Sequence, residues 1–130
     1  MANDFGNCGT AFAGTIDMHE ETIEQIALAD YLRLQYPRVI FCAQLAGLNV
    51  GARGMILAKR LGYLPGMPDV VIFAARGGAH GLVIEMKKRA GGKLSPNQVA
   101  VLTAMAAEGY SCHVANGFDE AKSIVDQYLA

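Results

Sequence analysis

Long apolar runs are missing from this 130-residue chain, and its start lacks a basic segment followed by an apolar stretch. A membrane-spanning helix needs about 18 consecutive apolar residues, so the sequence predicts none, and no secretory signal is expected. The chain also has only three cysteines and three histidines, all widely spaced. They form neither a zinc signature nor a disulfide framework, which favours reduced thiols in a cytosol.

Basic residues are absent from the first 32 positions, which hold six acids. Residues 33–93 reverse this balance with ten basic residues and two acids, although the whole chain has a net charge of −1. Such a segment can follow a phosphate backbone, while an ordinary solvated face is the plainer alternative. The candidate nucleic-acid-binding residues are Arg53, Lys59, Arg60, Lys88, Arg89 and Lys93.

The composition, 52% hydrophobic and 18% charged, is typical of one globular domain. Residues 1–15 lack periodicity and are expected to form a loose arm, ahead of a single domain over 16–130. Periodicity and boundary residues predict helices over 18–35, 52–61, 96–108 and 118–129, and strands over 39–45, 69–75, 81–88 and 110–115. Asp17 is expected to cap the first helix, with Glu20 as its capping-box partner. The order predicts an α/β fold with a mixed β-sheet flanked by helices.

Two acidic residues are expected to meet across a hairpin. If its turn is centred on Gly77, Asp69 lies opposite Glu85, with Cβ atoms about 4.5–5.5 Å apart. Carboxylates this close repel each other unless a cation lies between them. Strand alternation also puts Glu85 and Lys87 on one face. Such a set suits metal-assisted phosphodiester hydrolysis, in which the lysine orients water or stabilises negative charge.

A third acid is expected from the first helix. At about 100° per residue, Glu20, Glu21 and Glu24 lie on an arc shared with the apolar side of that helix. Carboxylates that face a core need a partner, and a metal ion would supply one.

Four short motifs resemble the VRR-NUC family, the virus-type replication-repair nuclease branch of the PD-(D/E)XK superfamily. Its pattern is E-x-x-x-Q on an early helix, then G-x-P-D, then E-x-K, then a glutamine at the start of the next helix. The chain has GYLPGMPD at 62–69, IEMKK at 84–88 and LSPNQ at 94–98. The matching residues are Glu21, Gln25, Pro68, Asp69, Glu85, Lys87 and Gln98.

The resemblance implies a restriction-endonuclease-like core, αβββαβ, and a catalytic set that includes Asp69, Glu85, Lys87, Glu21 and Gln98. It implies Mg²⁺ or Mn²⁺ bound by the carboxylates of Asp69, Glu85 and the first-helix glutamate, together with the backbone carbonyl of Met86. Small stand-alone members are similar to Holliday-junction resolvases. They are expected to act as homodimers on branched DNA in repair, leaving 5′-phosphate ends, in the cytoplasm of a bacterial or phage-infected cell.

Several alternatives stay open at this point. Glu20 or Glu21 could be the helix ligand, although Glu20 has a capping role of its own. Ser95 and Gln98 form a capping box, which would explain Gln98 without any chemistry. The chain could also be a nuclease for flaps or single strands, or a nucleic-acid binder that does not cleave.

Overall fold

The computed structural model describes residues 19–44 and 48–130, and within them the predicted order of helices and strands is confirmed. The elements are α1 (Glu20–Gln35), β1 (Phe41–Ala43), α2 (Gly51–Leu61), β2 (Val70–Ile72), β3 (Leu82–Lys87), α3 (Pro96–Ala107), β4 (Ser111–Asn116) and α4 (Phe118–Leu129). Among these helices, none combines the length and the apolar character needed to cross a membrane.

The four strands form one mixed sheet in the order β1-β2-β3-β4. β1, β2 and β3 are antiparallel neighbours, whereas β4 runs parallel to β3. A parallel neighbour needs a crossover connection, and α3 provides it. The fold is therefore the predicted α/β arrangement, and the carboxyl ends of β3 and β4 lie at the same edge of the sheet.

The two faces of the sheet are covered by different helices. Leu82, Ile84 and Met86 of β3 belong to a core cluster with Leu28 of α1 and Val125 of α4. On the other face, a smaller cluster joins β2 and β3 to α3; its buried members are Val71, Val83 and Leu102. Strand alternation places Glu85 and Lys87 on this second face, beneath α3.

The start of α1 differs from the prediction. The helix begins at Glu20, and its N-cap is His19, whose side chain makes no capping hydrogen bond. Glu20 therefore occupies the first helical position and not the third, so the predicted capping role of Glu20 is wrong. Asp17 and the predicted arm over 1–15 lie outside the described residues, as does Leu45 at the end of the strand predicted over 39–45.

Helices α1 and α4 are joined by a polar cluster around Asp126. Its carboxylate accepts hydrogen bonds from the hydroxyls of Tyr31 and Tyr36, at 2.6 and 2.7 Å, and from Nζ of Lys122 at 3.0 Å. Hydrogen bonds to the charged form favour it, and these lower the pKa of Asp126 to about 2. The cluster links α1 to α4, and its residues are separate from the acids of β2 and β3.

Candidate active site

The hairpin of β2 and β3 brings the two predicted acids together. Val70 pairs with Ile84, and the same register one step further places Asp69 opposite Glu85. The turn contains Gly77–Gly78, whose φ angles of 54° and 85° are both positive, as a tight two-residue hairpin turn requires.

Arg76 pairs with Ala79 across this turn, so the turn is centred between Gly77 and Gly78 and not on Gly77. Three residues separate Ile72 from Arg76 but only two separate Ala79 from Leu82. This extra residue shifts the register by one, and the shift brings the carboxylates opposite each other.

Pro68 explains why the ladder of hydrogen bonds stops beside Asp69. One register step beyond Asp69, Pro68 lies opposite Met86, and proline has no N–H to donate. The Met86 carbonyl therefore receives no hydrogen bond from Pro68, while the Met86 N–H donates to Oδ2 of Asp69 at 2.8 Å. The N–H and C=O of a paired strand residue point to the same side, so the Met86 carbonyl also faces the side of Asp69. The Pro-Asp sequence therefore leaves a backbone oxygen beside a carboxylate.

Glu85 is buried, with only 3% of its surface exposed. Its Oε1 atom accepts a hydrogen bond from Nε2 of Gln98 at 2.7 Å, and it lies 3.6 Å from Nζ of Lys87. Its Oε2 atom is buried without any hydrogen-bond partner. A buried carboxylate oxygen in this state is costly, so this atom is the open position of the site.

Gln98 has both of the roles that the sequence left open. Its backbone N–H donates to Ser95 Oγ at 3.2 Å, and its Oε1 accepts from Ser95 N at 2.9 Å, which completes the capping box of α3. The same Oε1 atom accepts from Nζ of Lys87 at 3.2 Å, while its Nε2 donates to Glu85. The helix cap therefore also orients the acid and the lysine.

Burial raises the pKa of both carboxyls. Burial raises the pKa of Glu85 to about 7, with a further contribution from the charge of Asp69 and an opposing one from Lys87. Burial also raises the pKa of Asp69, against the stabilising hydrogen bond from the Met86 N–H. The site is therefore short of positive charge when both carboxyls are ionised.

Glu21, and not Glu20, lies toward Asp69. Its charge raises the pKa of Asp69, and both residues line a cavity of about 410 Å³ together with Gln25. Glu20 does not line this cavity. The structure therefore favours Glu21 as the first-helix acid of the site.

Most of the chain matches one known protein family. The family model for the VRR-NUC domain matches residues 18–119, a range that includes Glu21, Asp69, Glu85, Lys87 and Gln98. The chain belongs to the VRR-NUC domain family. A solved structure described as a "VRR_NUC domain protein" is 27% identical, with a TM-score of 0.69, over 88% of this chain and 91% of that one. No curated protein matches the chain.

Membership of the VRR-NUC family implies DNA processing by a nuclease. Nucleases of this family generally use divalent metals. Within residues 19–44 and 48–130, no three His, Cys, Asp or Glu side chains converge closely enough to hold a metal by themselves. The carboxylates of Asp69 and Glu85 and the carbonyl of Met86 are nevertheless the hard oxygen donors that Mg²⁺ prefers. The unpartnered Oε2 of Glu85 fits such an ion.

The predicted basic residues have different surroundings in this VRR-NUC domain. Those on α2 and in the loop after β3 are exposed; they are Arg53, Lys59, Arg60, Lys88 and Lys93. Arg89 instead binds Glu24 at 2.6 Å and Asp119 at 3.1 Å. Its guanidinium is paired with two carboxylates of the protein, and phosphate contact by Arg89 stays a prediction.

Sequence reasoning missed two features of this VRR-NUC site. The first is the role of Pro68 in ending the ladder. A signal for it was present in the sequence, because proline has no N–H to donate and Pro68 directly precedes Asp69. The pairing of Glu24 with Arg89 had no comparable signal, because these residues lie on separate elements that only the folded chain brings together.

We expect Glu85→Gln to stabilise the metal-free protein at neutral pH. An unfolded glutamate has a pKa of about 4.3, so the raised pKa of Glu85 makes folding less favourable as the pH rises from about 4 to about 7. The neutral amide removes this penalty, and Asp69 still balances Lys87. The melting temperature should exceed that of wild type by about 2–6 °C at pH 7 and match it near pH 4.

This shift can be measured by thermal unfolding in chelator across that pH range. Glu108→Gln is the matched control, because Glu108 is exposed; it should show no pH-dependent gain. A lower melting temperature for Glu85→Gln than for wild type at pH 7 would contradict the explanation.

The capping and orienting roles of Gln98 can be separated with Ser95. Ser95→Ala removes only the cap, and should cost about 1 kcal/mol of stability with little change in DNA cleavage. Gln98→Ala also removes the contacts with Glu85 and Lys87, and should slow cleavage by about 10- to 100-fold. Urea unfolding and cleavage rates test this pair. Equal losses of activity in the two variants would show that Gln98 acts through the cap alone.

Proposed function

We propose that this protein is a Mg²⁺- or Mn²⁺-dependent endonuclease that hydrolyses phosphodiester bonds in structured DNA, with four-way junctions as the expected substrate. The observation that supports this most directly is that the buried Glu85 and Lys87 lie beside the half-buried Asp69 on one face of the sheet, with Oε2 of Glu85 lacking a partner. A purely binding surface would gain nothing from clustered carboxylates near phosphates, because like charges repel.

The residues of the site have distinct roles in this proposal. Asp69, Glu85, the Met86 carbonyl and Glu21 would hold the metal, which when bound acidifies water and polarises the phosphate. Lys87 stabilises the negative charge that develops on the phosphate or orients the attacking water. Gln98 keeps Glu85 and Lys87 in place through its two side-chain hydrogen bonds.

Contact with DNA is assigned to the exposed basic residues. Lys88 and Lys93 follow the strand that carries Lys87, and α2 adds Arg53, Lys59 and Arg60. Such side chains bind phosphates and position the backbone without reading bases. This suits an enzyme that recognises the shape of a branched substrate.

A homodimer is part of the proposal, because a two-fold symmetric junction is best served by two symmetric sites. Within the described chain, no other helix or strand contacts α2, and none of its residues is buried. Leu57 and Leu61 lie one turn apart on α2 and are 56% and 79% exposed. Exposed apolar residues grouped in this way mark an interaction surface, and we assign it to a second copy of the chain.

A cytoplasmic location completes the proposal. Cys42 and Cys112 are free thiols, as expected in a reducing compartment. DNA in repair intermediates would be the substrate available there.

The central test is cleavage of labelled duplex, flap, single-stranded and four-way DNA with and without Mn²⁺. Wild type should cut the four-way junction in Mn²⁺ or Mg²⁺ and stop in chelator. Lys87→Ala and Asp69→Asn should lose at least about 10²-fold in rate, since they remove groups that act on the reacting phosphate, yet still bind DNA. Lys122→Ala, a change at a lysine bound to Asp126, is the control and should retain activity.

Other outcomes of this panel separate the alternatives. Preferred cutting of flaps or single strands would replace the junction substrate. Metal-independent DNA binding with no cleavage of any substrate would reject the nuclease in favour of a binding module.

The proposed dimer surface predicts that Leu57→Glu combined with Leu61→Glu yields a monomer, because paired apolar residues are replaced by like charges. Ile56→Glu is the control, since Ile56 is also exposed, at 62%, but points to a different side of α2. Sedimentation velocity measures the outcome. A wild type that is monomeric while cutting junctions would refute the dimer, and dissociation by Ile56→Glu alone would refute this choice of surface.

A further inference from the structure

An ion-pair network joins α1, the end of β3 and the start of α4. Nε of Arg89 lies 2.6 Å from Oε1 of Glu24, and its Nη2 lies 3.5 Å from Oε2 of the same carboxylate. Its Nη1 donates to Asp119 at 3.1 Å. The backbone N–H of Phe118, the first residue of α4, also donates to Glu24. We refer to Glu24, Arg89, Asp119 and this N–H as the Glu24–Arg89 clasp.

The clasp is built into the backbone near Lys87. The N–H of Gly117 donates to the Lys87 carbonyl at 3.0 Å, and Gly117 has a φ of 89°. A Cβ atom at Gly117 would lie 2.6 Å from Cγ of Arg89, so glycine leaves the space that the arginine occupies. The Glu24 side chain is only 12% exposed, and its hydrogen bond with Arg89 is the main factor that lowers its pKa.

The first turns of α1 have few other contacts to hold them. None of residues 20–27 is buried, and the first fully buried residue of the helix is Leu28. The N-cap residue His19 contributes no side-chain hydrogen bond. Helix ends without caps fray, and Glu21 lies in this uncapped first turn. Glu24, one turn further along, is therefore the anchor nearest to Glu21.

We propose that the Glu24–Arg89 clasp is a positioning device that holds Glu21 toward Asp69 and Glu85. The clasp connects α1 to the strand that carries Glu85 and Lys87, so the acid of the helix and the acids of the hairpin keep a fixed separation. This inference rests on the proposed function, in which Glu21 is a metal ligand. In this role Arg89 and Glu24 act on the metal site indirectly, through the position of Glu21.

Metal binding by the metal-free protein tests the clasp without any need for cleavage. Mn²⁺ titrations followed by calorimetry give the dissociation constant for wild type, Arg89→Gln, Glu21→Gln and the double variant. We expect Arg89→Gln and Glu21→Gln each to weaken Mn²⁺ binding by about 10-fold, within the range found for groups that orient metal ligands. The double variant should be no weaker than Glu21→Gln alone, because the clasp acts through Glu21.

Two further variants separate positioning from general stability. Arg89→Lys keeps the charge but not the fork that binds a carboxylate through two nitrogens; it should fold and weaken Mn²⁺ binding less than Arg89→Gln. Asp126→Asn disrupts the other polar contact between α1 and α4. It should lower the melting temperature while leaving the Mn²⁺ dissociation constant unchanged.

The results that overturn the clasp differ from those that overturn the nuclease. Additive weakening in the double variant would show that Arg89 does not act through Glu21. Equal weakening by Asp126→Asn would show that Arg89 affects stability alone. Either result would overturn the clasp. Unchanged Mn²⁺ affinity in both Arg89 variants of an active nuclease would reject only the clasp. A wild type that neither binds Mn²⁺ nor cuts DNA would reject the proposed function and the clasp with it.

Discussion

The arrangement of this domain depends on one unfavourable interaction, in which the buried carboxylate of Glu85 lies opposite the half-buried carboxylate of Asp69 in a hairpin. Water would solvate Asp69 and Glu85 far better than the protein does. Their neighbours offset part of this cost: the Met86 N–H binds Asp69, and Gln98 and Lys87 bind one oxygen of Glu85. The second oxygen of Glu85 has no such neighbour. The unsatisfied carboxylate oxygen makes this site suited to a cation.

The surrounding elements can be understood as supports for that pair. The glycine turn and the extra residue between β2 and that turn together set the register of the hairpin. Helix α3 begins where its first turn can reach Glu85 and Lys87. Parallel pairing of β4 with β3 places α3 across the same face of the sheet. Each support has an ordinary structural explanation of its own. Because all of them meet at one place in a VRR-NUC domain, we interpret that place as the functional site.

Much of this could be predicted from the sequence, because the decisive contacts are local. Strand alternation places Glu85 and Lys87 on one face, and the order of helices and strands follows from periodicity. The register of the hairpin also depends on an extra residue between β2 and the turn, which no sequence signal indicates. Contacts between distant elements could not be predicted in this way. The pairing of Arg89 with Glu24 depends on how α1 lies on the sheet, which no local pattern encodes, so the sequence indicates only the basic character of Arg89. The start of α1 was misplaced because Asp17 resembles a good cap, whereas the helix begins at Glu20.

Pro68 has a consequence for how this fold can change over time. Because Pro68 has no backbone N–H, the ladder between the two strands lacks one further hydrogen bond. The Met86 carbonyl beside Asp69 therefore receives no hydrogen bond from Pro68. Almost any other residue there could supply the missing donor and make a more regular sheet. A substitution of Pro68 that restored the donor would therefore add a hydrogen bond to the sheet and take the Met86 carbonyl away from the proposed metal site.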